Sequence, residues 1–110
     1  MPLSEKIRVE LFIPNLPDPV YGRLLEELSD ELCYAFGGCS ITTTAGKYRS
    51  TAGTILPDNV SILFSDTPLD WGKDRLLLER YAEALEQVVQ AVLSNEESIL
   101  IAAFPVYHVE

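Results

Sequence analysis

Histidine is the side chain that most readily exchanges protons near neutral pH, and this chain contains one, His108. Paired with Asp66 or Asp70 it could act as a general base, and Tyr107 or Trp71 could wall a small substrate. His108 lies close to the C-terminus, however, and chain ends are commonly mobile. We therefore favour a frayed tail over a catalytic role for His108.

A second group with chemical potential is the run Lys47, Tyr48 and Arg49. Two cations beside an aromatic ring could form an anion pocket, because an arginine binds a carboxylate or phosphate through two parallel hydrogen bonds. In a regular strand, however, Lys47 and Arg49 share one face and Tyr48 points to the other. Without a bulge, the pattern favours a solvated hairpin with a core tyrosine.

Metal and cofactor sites find little support in the sequence. One histidine and two cysteines do not supply three or four metal ligands unless carboxylates join them. Cys33 and Cys39 are expected to be reduced, buried thiols that pack as small apolar side chains. The pair Gly37 and Gly38 lacks the remainder of a phosphate-binding loop. We expect no metal and no cofactor.

Composition limits the class of protein further. The 110 residues are 47% hydrophobic, which suits a single domain over residues 1–110. The formal net charge is −9, whereas nucleic acids and anionic membranes attract positively charged proteins. We therefore expect neither nucleic acid nor a membrane as a partner. The N-terminal residues do not resemble a secretory signal, and no apolar run is long enough to span a bilayer. The expected location is the cytoplasm.

Hydrophobic periodicity indicates four strands and two helices. Alternation predicts a strand over residues 6–13. Its buried face is expected to carry Ile7, Val9, Leu11 and Ile13, and its polar face Lys6, Arg8 and Glu10. A second strand opens at Cys39 and continues irregularly towards Tyr48. Further strands are predicted over residues 60–65 and 98–104, the last extending to residue 109 past Pro105 at an edge or a bulge. A turn is expected over residues 50–53.

Both helices are predicted to be amphipathic. The first begins at the Asp18 cap with Pro19 and ends near Phe36 before two glycines. The second follows the turn and cap residues Asp66 and Asp70 and ends near residues 94–95. The expected inward faces comprise Tyr21, Leu25, Leu28, Leu32 and Phe36 in the first helix, and Leu77, Tyr81, Leu85, Val88 and Val92 in the second.

The element order is β-α-β-β-α-β, which predicts an α+β ferredoxin-like sandwich. In that fold two helices cover one face of a four-stranded antiparallel sheet whose spatial order is four, one, three, two. The other face stays uncovered, and we expect Phe12, Leu63, Leu100 and Phe104 to form an apolar interface on it. Such a patch calls for a partner, so we expect a homo-oligomer.

Residues 36–58 carry turn motifs that resemble a pattern in small uncharacterised bacterial proteins of ferredoxin-like type. The pattern has a Phe-Gly-Gly turn, a Gly-x-Trp or Gly-x-Tyr element, and a Gly-x-Ile followed by an acid. In this chain it comprises Phe36-Gly37-Gly38 before Ser40, Gly46-Lys47-Tyr48, and Gly53-Thr54-Ile55 before Asp58. The resemblance implies the fold and no particular activity.

The order of elements is also similar to that of PII-like regulators, which share a long excursion between strands two and three and associate as trimers. None of their nucleotide-binding motifs matches, so the resemblance implies no site here. We expect a small homo-oligomeric binding or regulatory module, a dimer first and a trimer second, with its ligand at the sheet face or at residues 45–59. The alternative is a cofactor-independent small enzyme of the dimeric ferredoxin-like type that uses His108 and Tyr107 near Asp66.

Overall fold

The computed structural model describes residues 2–93 and 99–109. Six strands and two helices follow one another along this part of the chain. Their bounds are β1 (Leu3–Pro14), α1 (Pro19–Phe36), β2 (Ser40–Thr44), β3 (Lys47–Arg49), β4 (Ile55–Pro57), β5 (Val60–Thr67), α2 (Arg75–Val92) and β6 (Leu100–Val109).

The main sheet has four antiparallel strands in the order β2-β5-β1-β6. This is the predicted ferredoxin-like order and confirms the α+β sandwich. The expected irregular continuation of the second strand is instead a separate hairpin, in which β3 pairs with β4. Its turn is closed by Ser50 and Gly53, and Gly53 has a φ of 84°, a conformation that favours glycine. The turn prediction over residues 50–53 is confirmed.

The hydrophobic core lies between this sheet and the two helices. From β1 it receives Val9, Leu11 and Ile13, each at most 2% exposed, as the predicted alternation requires. The helices meet these side chains with Leu24, Leu28, Leu32, Leu85, Val89 and Val92. One face of the sheet is therefore covered and the opposite face is not.

Helix α1 begins and ends as its sequence predicts. The Asp18 carboxylate accepts a hydrogen bond from the Val20 amide at 3.0 Å, and Pro19 occupies the start of the helix. Gly37 follows Phe36 with a φ of 87°, and its amide donates to the Cys33 carbonyl. Both boundaries are thus set by local chemistry.

Helix α2 differs from its prediction in the face that it buries. Leu77 was expected to point inward, but it is 55% exposed, and Leu78 packs against the core instead. The helix ends at Val92, and the predicted end at residues 94–95 lies outside the described residues. Before the helix, the Asp70 carboxylate accepts from the amides of Gly72 and Lys73, which confirms Asp70 as a turn residue.

Strand β6 forms an edge of the sheet and pairs with β1 from Phe12↔Leu100 to Leu3↔Val109. Pro105 lies within it, which agrees with the predicted edge position, since an edge strand tolerates a missing backbone donor. The start predicted at residue 98 falls outside the described residues. None of the helices in the described ranges combines the length and apolar character needed to cross a membrane.

Candidate functional site

The face of the sheet that the helices leave uncovered, called here the open face, carries apolar side chains on three strands, with Glu10 of β1 among them. The strand register places Phe12 beside Ile62 and Leu100. Leu100 is 63% exposed and Phe104 is 36% exposed. The apolar members of the open face are Phe12, Pro14, Val60, Ile62, Phe64, Leu100, Ala102, Phe104 and Val106.

One residue expected on this surface lies on the other side. Leu63 pairs with Leu11, faces the helices and is 0% exposed, so its assignment to the interface is wrong. The physical reason is that directly paired residues in antiparallel strands point to the same face. Its neighbours Ile62 and Phe64 take the place that we had assigned to Leu63.

At one end of the open face, three strands bring Arg8, Asp66 and His108 together in an ion-pair cluster. The Arg8 guanidinium donates through Nε to Asp66 Oδ1 at 2.7 Å and through Nη2 to Oδ2 at 3.0 Å. His108 Nε2 lies 2.9 Å from Asp66 Oδ2, and the ring donates because a carboxylate can only accept. The cluster links β1, β5 and β6 through one carboxylate.

The electrostatics of the cluster keep the Asp66 carboxylate ionised. The hydrogen bond from Arg8 is the main cause that lowers the pKa of Asp66, and the hydrogen bond from His108 lowers it further, against an opposing effect of burial. The same hydrogen bond from Arg8 to Asp66 raises the pKa of Arg8. The Arg8 guanidinium also lies 4.5 Å from the centre of the Phe64 ring, a cation–π contact that joins the cluster to the apolar surface.

His108 is therefore an ordered strand residue, and the frayed tail that we had favoured is wrong. It pairs with Ser4 in the β1–β6 ladder and meets Asp66, one of the two partners considered for it. Its Nε2 donates to Asp66, and Nδ1 takes no part in that hydrogen bond. With a side chain 37% exposed, His108 could exchange a proton with a molecule bound on the open face.

The other residues of the enzymatic hypothesis do not join this cluster. Tyr107 precedes His108 on the same strand, so it points to the opposite face, and it is 61% exposed. Trp71 lies beside Arg75, whose guanidinium is 5.6 Å from the centre of the indole ring. Asp66 is not the cap residue that we expected, because its carboxylate is engaged by Arg8.

The hairpin residues lie at the opposite end of β1. Lys47 and Arg49 share one face of β3, and Tyr48 lies on the other face opposite Leu56. No bulge interrupts the strand, so the structure does not bring the three side chains together. All three are exposed, as a solvated hairpin requires, but the core position expected for Tyr48 is wrong because Tyr48 is 50% exposed.

Tyr48 instead lines an open cleft of about 530 Å³, called here the hairpin cleft. This cleft lies between the β3–β4 hairpin and the connection from β1 to α1. Its lining residues are Pro14, Leu16, Tyr21, Tyr48, Pro57, Asp58 and Asn59. The sequence marked Tyr21 as a core-facing helix residue and Asp58 as part of a turn motif, and neither as a binding residue, because only the tertiary structure brings them to the same cleft as Tyr48.

The two cysteines differ in burial from what the sequence predicts. Cys33 is exposed, so the prediction that it is buried is wrong, and Cys39 is half-buried. Burial raises the pKa of the Cys39 thiol, which disfavours the reactive thiolate. Across residues 2–93 and 99–109, no group of three or more His, Cys, Asp or Glu side chains is placed to hold a metal ion.

Arg8 and Phe64 are members of the open face that the sequence did not mark as site residues. Arg8 had been placed on the polar side of an amphipathic strand. A usable signal was the matching alternation of Arg8 with Glu10 and Phe12, which puts a charged group at one end of a face that also carries a large apolar side chain. The partner on β5 depends on register, which only the structure supplies.

Comparison with known proteins gives a match at the level of fold. No protein-family profile and no curated protein sequence matches the chain. Solved structures do match, among them the divalent cation tolerance protein CutA1 of Thermus thermophilus, with a TM-score of 0.52 and 18% identity over 94% of this chain and 84% of that one. CutA of Pyrococcus horikoshii gives a TM-score of 0.59 and 14% identity over 94% and 87%.

Solved structures of a regulatory protein also match. CPII, a nitrogen regulatory PII-like protein of Thiomonas intermedia, gives a TM-score of 0.54 and 12% identity over 99% of this chain and 100% of that one. These identities are too low to carry function, so the likeness shows the fold alone. The chain shares its ferredoxin-like architecture with CutA and PII-like proteins.

Proposed function

We propose that the protein is a small homo-oligomeric binding or regulatory module in which the open face packs against another copy. The observation that carries the proposal is the apolar surface on the side of the sheet without helices, where Leu100 is 63% and Phe104 is 36% exposed. Surfaces of this kind commonly mark interaction sites, because their exposure to water is unfavourable. The cytoplasmic location stays a prediction.

The arrangement of the open face supports association between identical copies. Phe12, Ile62 and Leu100 lie side by side across three strands, so the apolar area is broad rather than a single ridge. Two such faces related by a twofold axis would bury each other, and twofold dimers are the commonest homo-oligomers. We place a dimer first and a trimer, implied by the PII-like resemblance, second.

A binding or regulatory role is supported by the names of the similar structures. CutA is named for divalent cation tolerance, and the PII-like protein is described as bound to ADP, AMP and bicarbonate. The names of the CutA and PII-like proteins thus associate this fold with small ligands or ions. We transfer the general class of role to this chain and no binding residue.

Sedimentation velocity tests the oligomeric proposal. The wild-type protein should sediment as a multiple of the 12.2 kDa chain, and Phe104→Glu or Leu100→Glu should shift it towards the monomer, because a charge on the open face must then be desolvated. Tyr34→Glu is the matched control, since Tyr34 is 88% exposed on α1. A monomeric wild type at every concentration would overturn the proposal, and circular dichroism checks that each variant folds.

The hydrogen bond between His108 and Asp66 favours a second candidate, a cofactor-independent small enzyme. A histidine oriented by a carboxylate is a common general base. Turnover found in a metabolite screen should then depend on pH and be lost in His108→Gln, while Tyr107→Phe should change it less because Tyr107 faces the other way. Unchanged turnover in His108→Gln would remove this candidate.

A further inference from the structure

The hairpin cleft has the dimensions of a site for a small molecule. Its volume of about 530 Å³ falls within the range of roughly 300–1,000 Å³ that is usual for ligand pockets. It lies at the Pro14 end of β1, whereas the ion-pair cluster lies at the other end of the sheet. The cleft is therefore distant from the ion-pair cluster, and Pro14 borders both the cleft and the open face, because it lies on the same side of β1 as Phe12.

Backbone hydrogen bonds hold the walls of the cleft in place. The Asn15 amide donates to the Asn59 carbonyl at 2.9 Å, which ties the β1–α1 connection to the loop after β4. Gly46 and Asp58 exchange two backbone hydrogen bonds at the base of the hairpin, of 2.9 and 3.1 Å. A Cβ atom at Gly46 would lie 2.9 Å from the Asp58 carbonyl oxygen, so this close approach depends on glycine.

The chemistry of the lining residues favours a positively charged ligand. Two tyrosines, Tyr21 and Tyr48, and one acidic residue, Asp58, are among the residues that line it. Within the described part of the chain, no Lys, Arg or His lines the cleft. The two cations of the hairpin, Lys47 and Arg49, lie on the face of β3 opposite to Tyr48.

The rest of the wall suits the apolar part of such a ligand. Pro14, Leu16 and Pro57 offer hydrocarbon surface beside the rings, which matches the methyl groups of an alkylated ammonium ion. The net charge of −9 adds a long-range attraction for cations over the whole molecule. An anion, the ligand suggested by Lys47 and Arg49 in the sequence, would meet Asp58 in this cleft.

We propose that the hairpin cleft binds a small organic cation with a quaternary ammonium group, held by the rings of Tyr21 and Tyr48 and by the Asp58 carboxylate. This inference rests on the proposed binding role, for which it names the class of ligand, and it does not depend on oligomerisation. Sedimentation therefore tests the oligomeric proposal, and ligand titration tests the binding of the cation, independently of each other.

Choline and its neutral isostere, in which a quaternary carbon replaces the nitrogen, provide a matched pair of probes. Calorimetric titration and two-dimensional NMR of the full chain should show saturable choline binding that shifts the Tyr48 and Asp58 signals. The isostere should bind at least about tenfold more weakly, because it retains the shape and loses the charge. Equal binding of both probes, or saturable binding of neither, overturns the proposal.

Variants of the lining residues separate ring and carboxylate contributions. Tyr48→Leu and Asp58→Asn should each weaken choline binding by about fivefold to tenfold, because each removes one attraction for the cation. Tyr48 is 50% exposed, so its replacement should leave the fold intact. Tyr34→Leu, a change at an exposed tyrosine on α1, is the control, and an equal loss of choline affinity in that variant would contradict the assignment.

Discussion

On the helix-covered face of the sheet, Ile7, Val9, Leu11 and Ile13 of β1 are each at most 2% exposed, whereas Arg8 and the other alternate residues of the same strand keep contact with water. The covered face is stabilised by apolar packing against two helices. The open face combines apolar side chains with an ion-pair cluster. Strand β1 therefore contributes one face to the buried core and the other face to an exposed surface.

The largest effect is expected from substitutions at two neighbouring residues of β5, one on each face of the sheet. Leu63→Ala should lower the free energy of unfolding by about 2–5 kcal/mol, because it leaves a cavity in the core. Ile62→Ala should lower it by about 1 kcal/mol, since Ile62 is half-buried on the open face. Urea unfolding in the Phe104→Glu background measures both without a contribution from association. Equal losses would mean that the two faces are packed alike.

A smaller effect is expected from the ion-pair cluster. Asp66→Asn should lower the free energy of unfolding by about 1–2 kcal/mol, because Arg8 loses a bidentate partner that is only partly exposed to solvent. The control is Glu27→Gln, which removes an exposed helix pair with Arg23 and should cost about 0.5 kcal/mol or less. If the two substitutions cost the same in urea unfolding, the cluster adds nothing beyond an ordinary surface pair.

The acid dependence of the same variant gives the smallest signal. The pKa of Asp66 is lowered in the folded protein, so its contribution is present above the ordinary carboxyl pKa of about 4 and is lost as the pH falls through the lower folded value. The gap in stability between wild type and Asp66→Asn should therefore narrow below about pH 4. Urea unfolding over a pH series measures it, and a gap that stays constant to about pH 3 would contradict the assigned cause.

The sequence predicted the architecture because its signals are local. Asp18, Pro19 and Gly37 set the ends of α1 through hydrogen bonds and backbone geometry within a few residues. Alternation over β1 identified the strand and its buried side. The strand order then followed from the known topology of the β-α-β-β-α-β arrangement.

The candidate site was less predictable because it depends on register. Residues 62–64 are all apolar, so alternation alone cannot decide whether Leu63 or its two neighbours face the helices. Pairing with Leu11 decides it, and Ser65 shares the covered face, where its hydroxyl donates to the Gly38 carbonyl at 2.6 Å. The three leucines at the start of α2 leave the same ambiguity, which explains the misplaced Leu77.

The chemistry near the C-terminus shows the same limit. Position in the chain suggested a frayed His108, yet a ladder that reaches Val109 holds it against β1 and Asp66. At the hairpin, the sequence offered the cations Lys47 and Arg49 beside Tyr48, and the fold placed Asp58 there instead. Asp66 is distant from His108 in the sequence, and Asp58 is not adjacent to Tyr48.

Amino-acid order by itself thus determined the two helices and the four strands of the main sheet, since these depend on periodicity and caps that act over a few residues. Tertiary structure alone decided which side chains meet on the open face and in the hairpin cleft. The physical reason is that a shift of one residue in strand pairing moves every side chain to the other face. Arg8, Asp66 and His108 become neighbours only in the register that the folded core selects.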